Sequence, residues 1–186
     1  SVYCRSPGNI LVSLGENEVS ETASVQATKT SDEVVEVRNY IGGKWVSSGT
    51  TEWGDVLNPA RGRPIGRVPF STASEVDAAV KAAKEAFPAW RSTPPLERAR
   101  RFYRMKELME GDFDGLASTI TREHGKTLDD ARGSVRRAIE NVEVATGITS
   151  LMMGYNLEDG ASRSIDEEVI RQPIGVFTAI CPFNFP

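Results

Sequence analysis

Histidine and cysteine are scarce in this chain: one of the first and two of the second in 186 residues. A single histidine, His124, excludes a metal site built from several His and Cys ligands. It also leaves a Ser-His-Asp hydrolase only one base to use, and no serine sits in a strand-turn-helix nucleophile elbow. Cys4 and Cys181 are too few for a disulfide framework and read as free thiols in a reducing compartment. Excess positive charge is also missing. The 22 Lys and Arg are outnumbered by 26 Asp and Glu, for a net charge of -4, so there is no basic stripe for a nucleic acid. No apolar run is long enough to cross a bilayer. No G-x-G-x-x-G occurs, so an ordinary dinucleotide phosphate loop is not supported. No internal repeat is visible.

What is present suits a globular protein, with 39% hydrophobic and 26% charged residues. Residues 1–38 are rich in Ser, Thr, Glu and Val and lack a stable period, so a flexible leader is expected there. They have neither the basic start and apolar centre of a secretory signal nor the arginine density of a transit peptide. Tyr40-Ile41 and Lys44-Trp45-Val46 flank Gly42-Gly43, which predicts a hairpin, since both turn positions tolerate positive φ. Val56 to Pro59 reads as a strand end. Ile65 to Val68 reads as a further strand after the turn-rich Arg61 to Pro64, giving a small antiparallel layer.

From Thr72 the period becomes helical. Ser74 with Asp77 fits a capping box, and Val76, Ala79, Val80, Ala83 and Phe87 follow on one face until Pro88 closes the helix. Pro94-Pro95 opens a second helix. Its expected buried stripe is Leu96, Ala99, Phe102, Tyr103 and Leu108, with Arg98, Arg100, Arg101 and Arg104 on a solvated face. Phe113 to His124 is a third helix, closed by Gly125. Thr127 to about Ser150 gives the longest pattern, with Leu128, Ala131, Val135, Ile139, Val142 and Ala145 inward. A polar connection, Tyr155 to Ser162, leads to an alternating, half-exposed strand over Ser164 to Gln172, of the kind that pairs with another subunit.

The end of the chain carries the most information. Ile174 to Ile180 is apolar and β-rich and stops at Pro182-Phe183-Asn184-Phe185-Pro186. Such a run suits a buried parallel strand, and ligands sit at the carboxyl ends of those strands. Ile180, Cys181, Pro182 and Phe183 are therefore placed either to touch a cofactor or to pack in a core. Asn184 carries an amide that donates hydrogen bonds and cannot ionise. It suits an oxyanion stabiliser or the capping of a turn. Arg137 lies off the apolar stripe of its helix. Its guanidinium suits two-pronged recognition of a carboxylate, or a solvated position paired with Glu140. Cys181 has apolar neighbours and no nearby cation in sequence, which speaks for a packed thiol rather than a nucleophile.

Taken together, Tyr40 to Trp45, Asn58-Pro59-Ala60, Ile65 to Pro69, Ala86 to Trp90, Gly125-Lys126-Thr127, Leu151 to Gly154 and Pro182 to Pro186 resemble the amino-terminal part of the aldehyde dehydrogenase superfamily. Within it the chain is most similar to the CoA-acylating, methylmalonate-semialdehyde branch, in which Phe183 stands where most members carry Trp. The resemblance runs from about Asn39 to Pro186.

It implies an α/β fold with short β hairpins, four helices, an oligomerisation arm and the first strand of a Rossmann-like parallel sheet. The implied domains are a leader (1–38), the front of an NAD-binding domain (39–154), an arm for a homotetramer (155–172), and the first core strand and loop (173–186). It implies Asn184 as the oxyanion residue, Ile180, Cys181, Pro182 and Phe183 along the NAD site, and Arg137 on the substrate carboxylate. NAD is the implied cofactor and CoA the co-substrate, in oxidative decarboxylation of malonate or methylmalonate semialdehyde to acetyl-CoA or propionyl-CoA, as in valine catabolism. Neither Cys4 nor Cys181 matches the nucleophile. The expectation is therefore a piece that lacks the catalytic Cys and Glu and is inactive alone, with no metal, no nucleic-acid partner and no membrane partner. The expected location is the cytoplasm, or the mitochondrial matrix in a eukaryote. The alternatives are a non-acylating aldehyde dehydrogenase and a non-catalytic assembly module.

Overall fold

The computed structural model describes residues 3–4 and 34–185, so most of the expected leader lies outside the described residues. Strand β1 (Tyr3–Cys4) pairs with β3 (Asn39–Ile41), which turns into β4 (Lys44–Val46). Gly42 and Gly43 hold φ of 58° and 81°, the two left-handed positions that a tight hairpin demands. A second sheet has the order β2 (Val35–Glu36), β6 (Arg63–Pro69), β5 (Trp53–Asn58). The β5–β6 pair is antiparallel and shifts register between Val56 and Leu57, beside Pro64. Proline has no N–H for the ladder, so the irregularity falls where a donor is missing.

Helix α1 (Ala73–Ser92) starts at Thr72, and the capping box is Thr72 with Glu75, two residues earlier than the expected Ser74 and Asp77. It also runs through Pro88, which was expected to close it. Pro88 deletes only its own N–H bond, and the Thr93 amide ends the helix on the Ala89 and Trp90 carbonyls. Of its predicted stripe only Ala79 is buried, while Val76 and Val80 stay exposed. At 20 residues α1, not the helix after Thr127, is the longest.

Helices α2 (Pro95–Gly111), α3 (Phe113–His124) and α4 (Leu128–Thr146) form the core. Met109, Ala117, Ala131, Val135 and Ile139 are buried there, with Met105, Phe113, Leu116, Ile120 and Val142 packed around them. Gly147 interrupts the pattern expected to run to Ser150, and a short α5 (Ile148–Leu151) follows. On α2 the inward face is Ala99, Met105 and Met109, whereas Leu96 and Tyr103 are exposed. Arg98, expected on a solvated face, is buried. Its Nη2 donates to Met152 Sδ at 3.0 Å, and its Nε has no hydrogen-bond partner among the described residues.

Strands β7 (Tyr155–Leu157) and β8 (Glu167–Val169) form an exposed antiparallel hairpin. The predicted strand over Ser164–Gln172 thus shrinks to its middle, and the predicted connection contains its partner.

Ile174 to Ile180 is not a buried strand. It is irregular, with Ile174 and Ile180 85% and 94% exposed. A strand exists by bonding to neighbours, and no described strand lies beside this run. Among the described residues, no helix is long and apolar enough to cross a membrane.

Candidate functional site

The site grows from the corner between α3 and α4. Gly125 ends α3 in the left-handed region, φ 86°, and its amide bonds the Thr121 carbonyl. Two residues on, the Thr127 hydroxyl accepts the Asp130 amide at 3.2 Å and starts α4. Lys126 is caught between two caps, so its side chain leaves from a fixed point.

Two distant segments come to this corner. The first is the turn after β5, where Asn58 Oδ1 accepts the amides of Ala60 and Arg61 at 3.0 and 3.2 Å and Pro59 lies over Gly125. The second is the chain end. Pro182 to Phe185 forms a turn closed by the Phe185 amide on the Pro182 carbonyl at 3.2 Å. Lys126 Nζ donates to the Asn184 backbone oxygen at 2.9 Å and to Ser134 Oγ at 3.0 Å, and lies 5.3 Å from the centre of the Phe185 ring. Phe183, Leu57, Pro59, Glu123 and His124 line one open hollow of about 380 Å³. Three of the sequence motifs, around Pro59, Lys126 and Asn184, therefore meet in space.

Asn184 is exposed, and its side-chain amide makes no hydrogen bond among the described residues. Cys181 is an exposed free thiol rather than a packed one, because the strand meant to bury it is not formed. Ile180 and Phe183 are strongly exposed, and Pro182 is exposed with them. The four together leave an exposed, largely apolar surface beside the turn.

Arg137 is exposed on α4 and has no ion pair among the described residues. The pairing with Glu140 weighed for Arg137 is therefore not made, and its neighbour Arg136 bonds Glu110 on α2 at 2.9 Å, with the guanidinium 4.9 Å from the Phe113 ring centre. Arg137 follows Ser134 by one helical turn on the same side of α4. Ser134 is the residue that shares Lys126 with Asn184, so the loop and the arginine lie along one flank. Lys126 was not singled out from sequence as a functional residue. The signal was available: a long cation fixed between a helix-ending Gly and an N-cap Thr.

Residues 45–186 match the aldehyde dehydrogenase family. The chain belongs to that family. It is 45% identical over 157 residues to a malonate-semialdehyde dehydrogenase of Bacillus pumilus, a match covering 84% of this chain and 32% of the relative. Its fold matches a solved structure from Sinorhizobium meliloti, assigned as a methylmalonate-semialdehyde dehydrogenase and complexed with NAD. The TM-score is 0.79 at 38% identity, covering 84% of this chain and 32% of the other. A methylmalonate-semialdehyde dehydrogenase from Oceanimonas doudoroffii gives a TM-score of 0.68 at 38% identity, covering 75% and 28%. The chain thus spans about a third of the length of the relatives it matches. The mixed α/β architecture is that of the aldehyde dehydrogenase fold over the part covered.

Proposed function

We propose that the full-length protein oxidises malonate or methylmalonate semialdehyde with NAD, releases carbon dioxide and passes the acyl group to CoA. The observation that carries this reading is the 45% identity to a malonate-semialdehyde dehydrogenase across 84% of the chain. NAD, when bound, supplies the hydride acceptor. The chain's own residues have separate tasks. Ile180, Cys181, Pro182 and Phe183 offer the apolar surface against which the cofactor lies. Arg137 holds the substrate carboxylate through paired N–H bonds. Asn184 donates its free amide to the oxygen that gains charge when a thiolate adds to the aldehyde carbon. One such donor lowers the barrier by about 2.7–4 kcal/mol.

We assign the nucleophilic thiol and the general-base carboxylate to positions outside these residues, so the 186-residue piece alone is inactive. The proposed domains are a leader (1–38), the front of the NAD-binding domain (39–154), an arm (155–172) that joins subunits into a homotetramer, and a segment (173–186), irregular here, that becomes the first core strand and loop once neighbouring strands of the full-length protein lie beside it. A reducing aqueous compartment, the cytoplasm or the mitochondrial matrix, suits the exposed Cys181 thiol. The test is turnover of methylmalonate semialdehyde by the full-length protein with and without CoA. The acylating reading expects NADH formation to need CoA for multiple turnovers. Sustained turnover with water alone means a non-acylating aldehyde dehydrogenase, and no NADH with any aldehyde means an assembly module.

A further inference from the structure

The ammonium group of Lys126 makes three contacts, and two of them hold the turn that carries Asn184. A lysine has three N–H bonds and no acceptor. Here one goes to the Asn184 carbonyl, one to Ser134 Oγ, and the ammonium also lies against the Phe185 ring. Among the described residues the turn's one internal hydrogen bond is the Phe185-to-Pro182 contact, Phe183 faces an open hollow, and residues 180–185 are all exposed. Neither helix needs Lys126 for its cap, because Gly125 and Thr127 supply the two ends. Its contacts are therefore spent on the loop and on α4.

We propose that Lys126 is a positioning residue that clamps the Pro182–Phe185 turn to the α3–α4 corner, so that the Asn184 amide is held in place and left free to donate. The inference rests on the oxyanion role of Asn184 proposed above. The clamp grips the Asn184 carbonyl, which fixes the adjoining peptide plane, while the side-chain amide from the same Cα is not engaged. A donor that must meet developing charge works only when it is already oriented, and a misplacement of about 1 Å can lower a rate roughly 100-fold.

The experiment compares Lys126→Met, Lys126→Arg, Asn184→Ala and the Lys126→Met/Asn184→Ala pair in the full-length enzyme. Hydrogen–deuterium exchange is read over residues 182–186, and kcat and KM are measured for methylmalonate semialdehyde. In Lys126→Met, exchange should quicken in the turn and stay unchanged in α3 and α4. Its kcat should fall by roughly 100-fold with KM moving less than about threefold. Lys126→Arg should restore both, since a guanidinium reaches the same two oxygens. The double variant should be no slower than Asn184→Ala alone, because both act on one group. Unchanged exchange in the turn overturns the clamp, as does a Lys126→Met loss that multiplies with that of Asn184→Ala. Should Asn184→Ala itself turn over normally, the oxyanion reading fails separately, and the exchange result alone decides the clamp.

Discussion

Pro59 lies so close over Gly125 that a Cβ at position 125 would come within 2.5 Å of Pro59 Cγ. Gly125 also holds φ 86°, where a side chain is strained. Two separate penalties therefore guard one position. Gly125→Ala should destabilise the chain by about 1–3 kcal/mol. Adding Pro59→Ala should recover the steric part and leave the backbone part. Denaturant midpoints of the single and double variants check this, and a Gly125→Ala chain as stable as the parent would show that the corner is built differently.

The corner also shows what a sequence can disclose. The helix boundary at Gly125 and the hairpin at Gly42-Gly43 were legible because local chemistry decides them: positive φ at glycine, caps at threonine. The core face of α4 was legible for a similar reason, since Ala131, Val135 and Ile139 recur at helical spacing. The burial of Arg98 was not legible, because a long stem lets a guanidinium lie inward beside Met152 from a position that looks basic and solvated. The strand over Ile174–Ile180 failed for the opposite reason. Its composition describes a strand among neighbours, and no described neighbour is there. For the candidate site, Asn184, Phe183 and Arg137 are proposed by type and resemblance alone. That Lys126 connects the Asn184 turn to the flank of α4 bearing Arg137 depends on a side chain and a backbone carbonyl separated by 58 residues, which no local pattern records.

Glu75 gives the chain a pH-dependent joint between the first hairpin region and α1. Its carboxylate accepts the Thr72 amide at 2.7 Å, the Gly49 amide at 2.8 Å and the Ser48 hydroxyl at 2.8 Å. These bonds, the Thr72 amide first, lower its pKa from 4.5 to about 2. A carboxyl depressed on folding stabilises the folded state fully above its unfolded pKa. That contribution fades as pH falls below 4.5 and is gone below about 2. Glu75→Gln should therefore be less stable than the parent at neutral pH, with the gap closing in acid. Urea midpoints for both chains across this window check it. A gap that does not change with pH would show that the charge is not what matters.

Ile139 is fully buried between α2, α3 and α4, whereas Val144 on the same helix is 68% exposed. Removing three carbons from a packed site loses both transfer free energy and contacts across the cavity left behind. Ile139→Ala should cost about 2–5 kcal/mol. Val144→Ala should stay within about 0.5 kcal/mol. Equal effects in a denaturation experiment would mean that the helices do not pack on the face described.

Arg136 and Arg137 are adjacent in sequence and are expected to fail in different experiments. Arg136 bonds Glu110 at 2.9 Å and stacks near Phe113, tying α4 to α2 and to the start of α3. Both partners are partly exposed, so Arg136→Leu should lower stability by at most about 1 kcal/mol and leave kinetics alone. Arg137 has no such bond, and Arg137→Leu should change stability by less than about 0.5 kcal/mol. If Arg137 grips a carboxylate, the same variant should weaken kcat/KM for methylmalonate semialdehyde by roughly 10- to 100-fold, the range for a hydrogen bond to a charged group. It should barely change turnover of propionaldehyde, which has no carboxylate to lose. Steady-state kinetics of the full-length protein on both aldehydes decide the matter. An equal loss on both would assign Arg137 to structure, and a loss confined to Arg136→Leu would move the substrate contact one residue back.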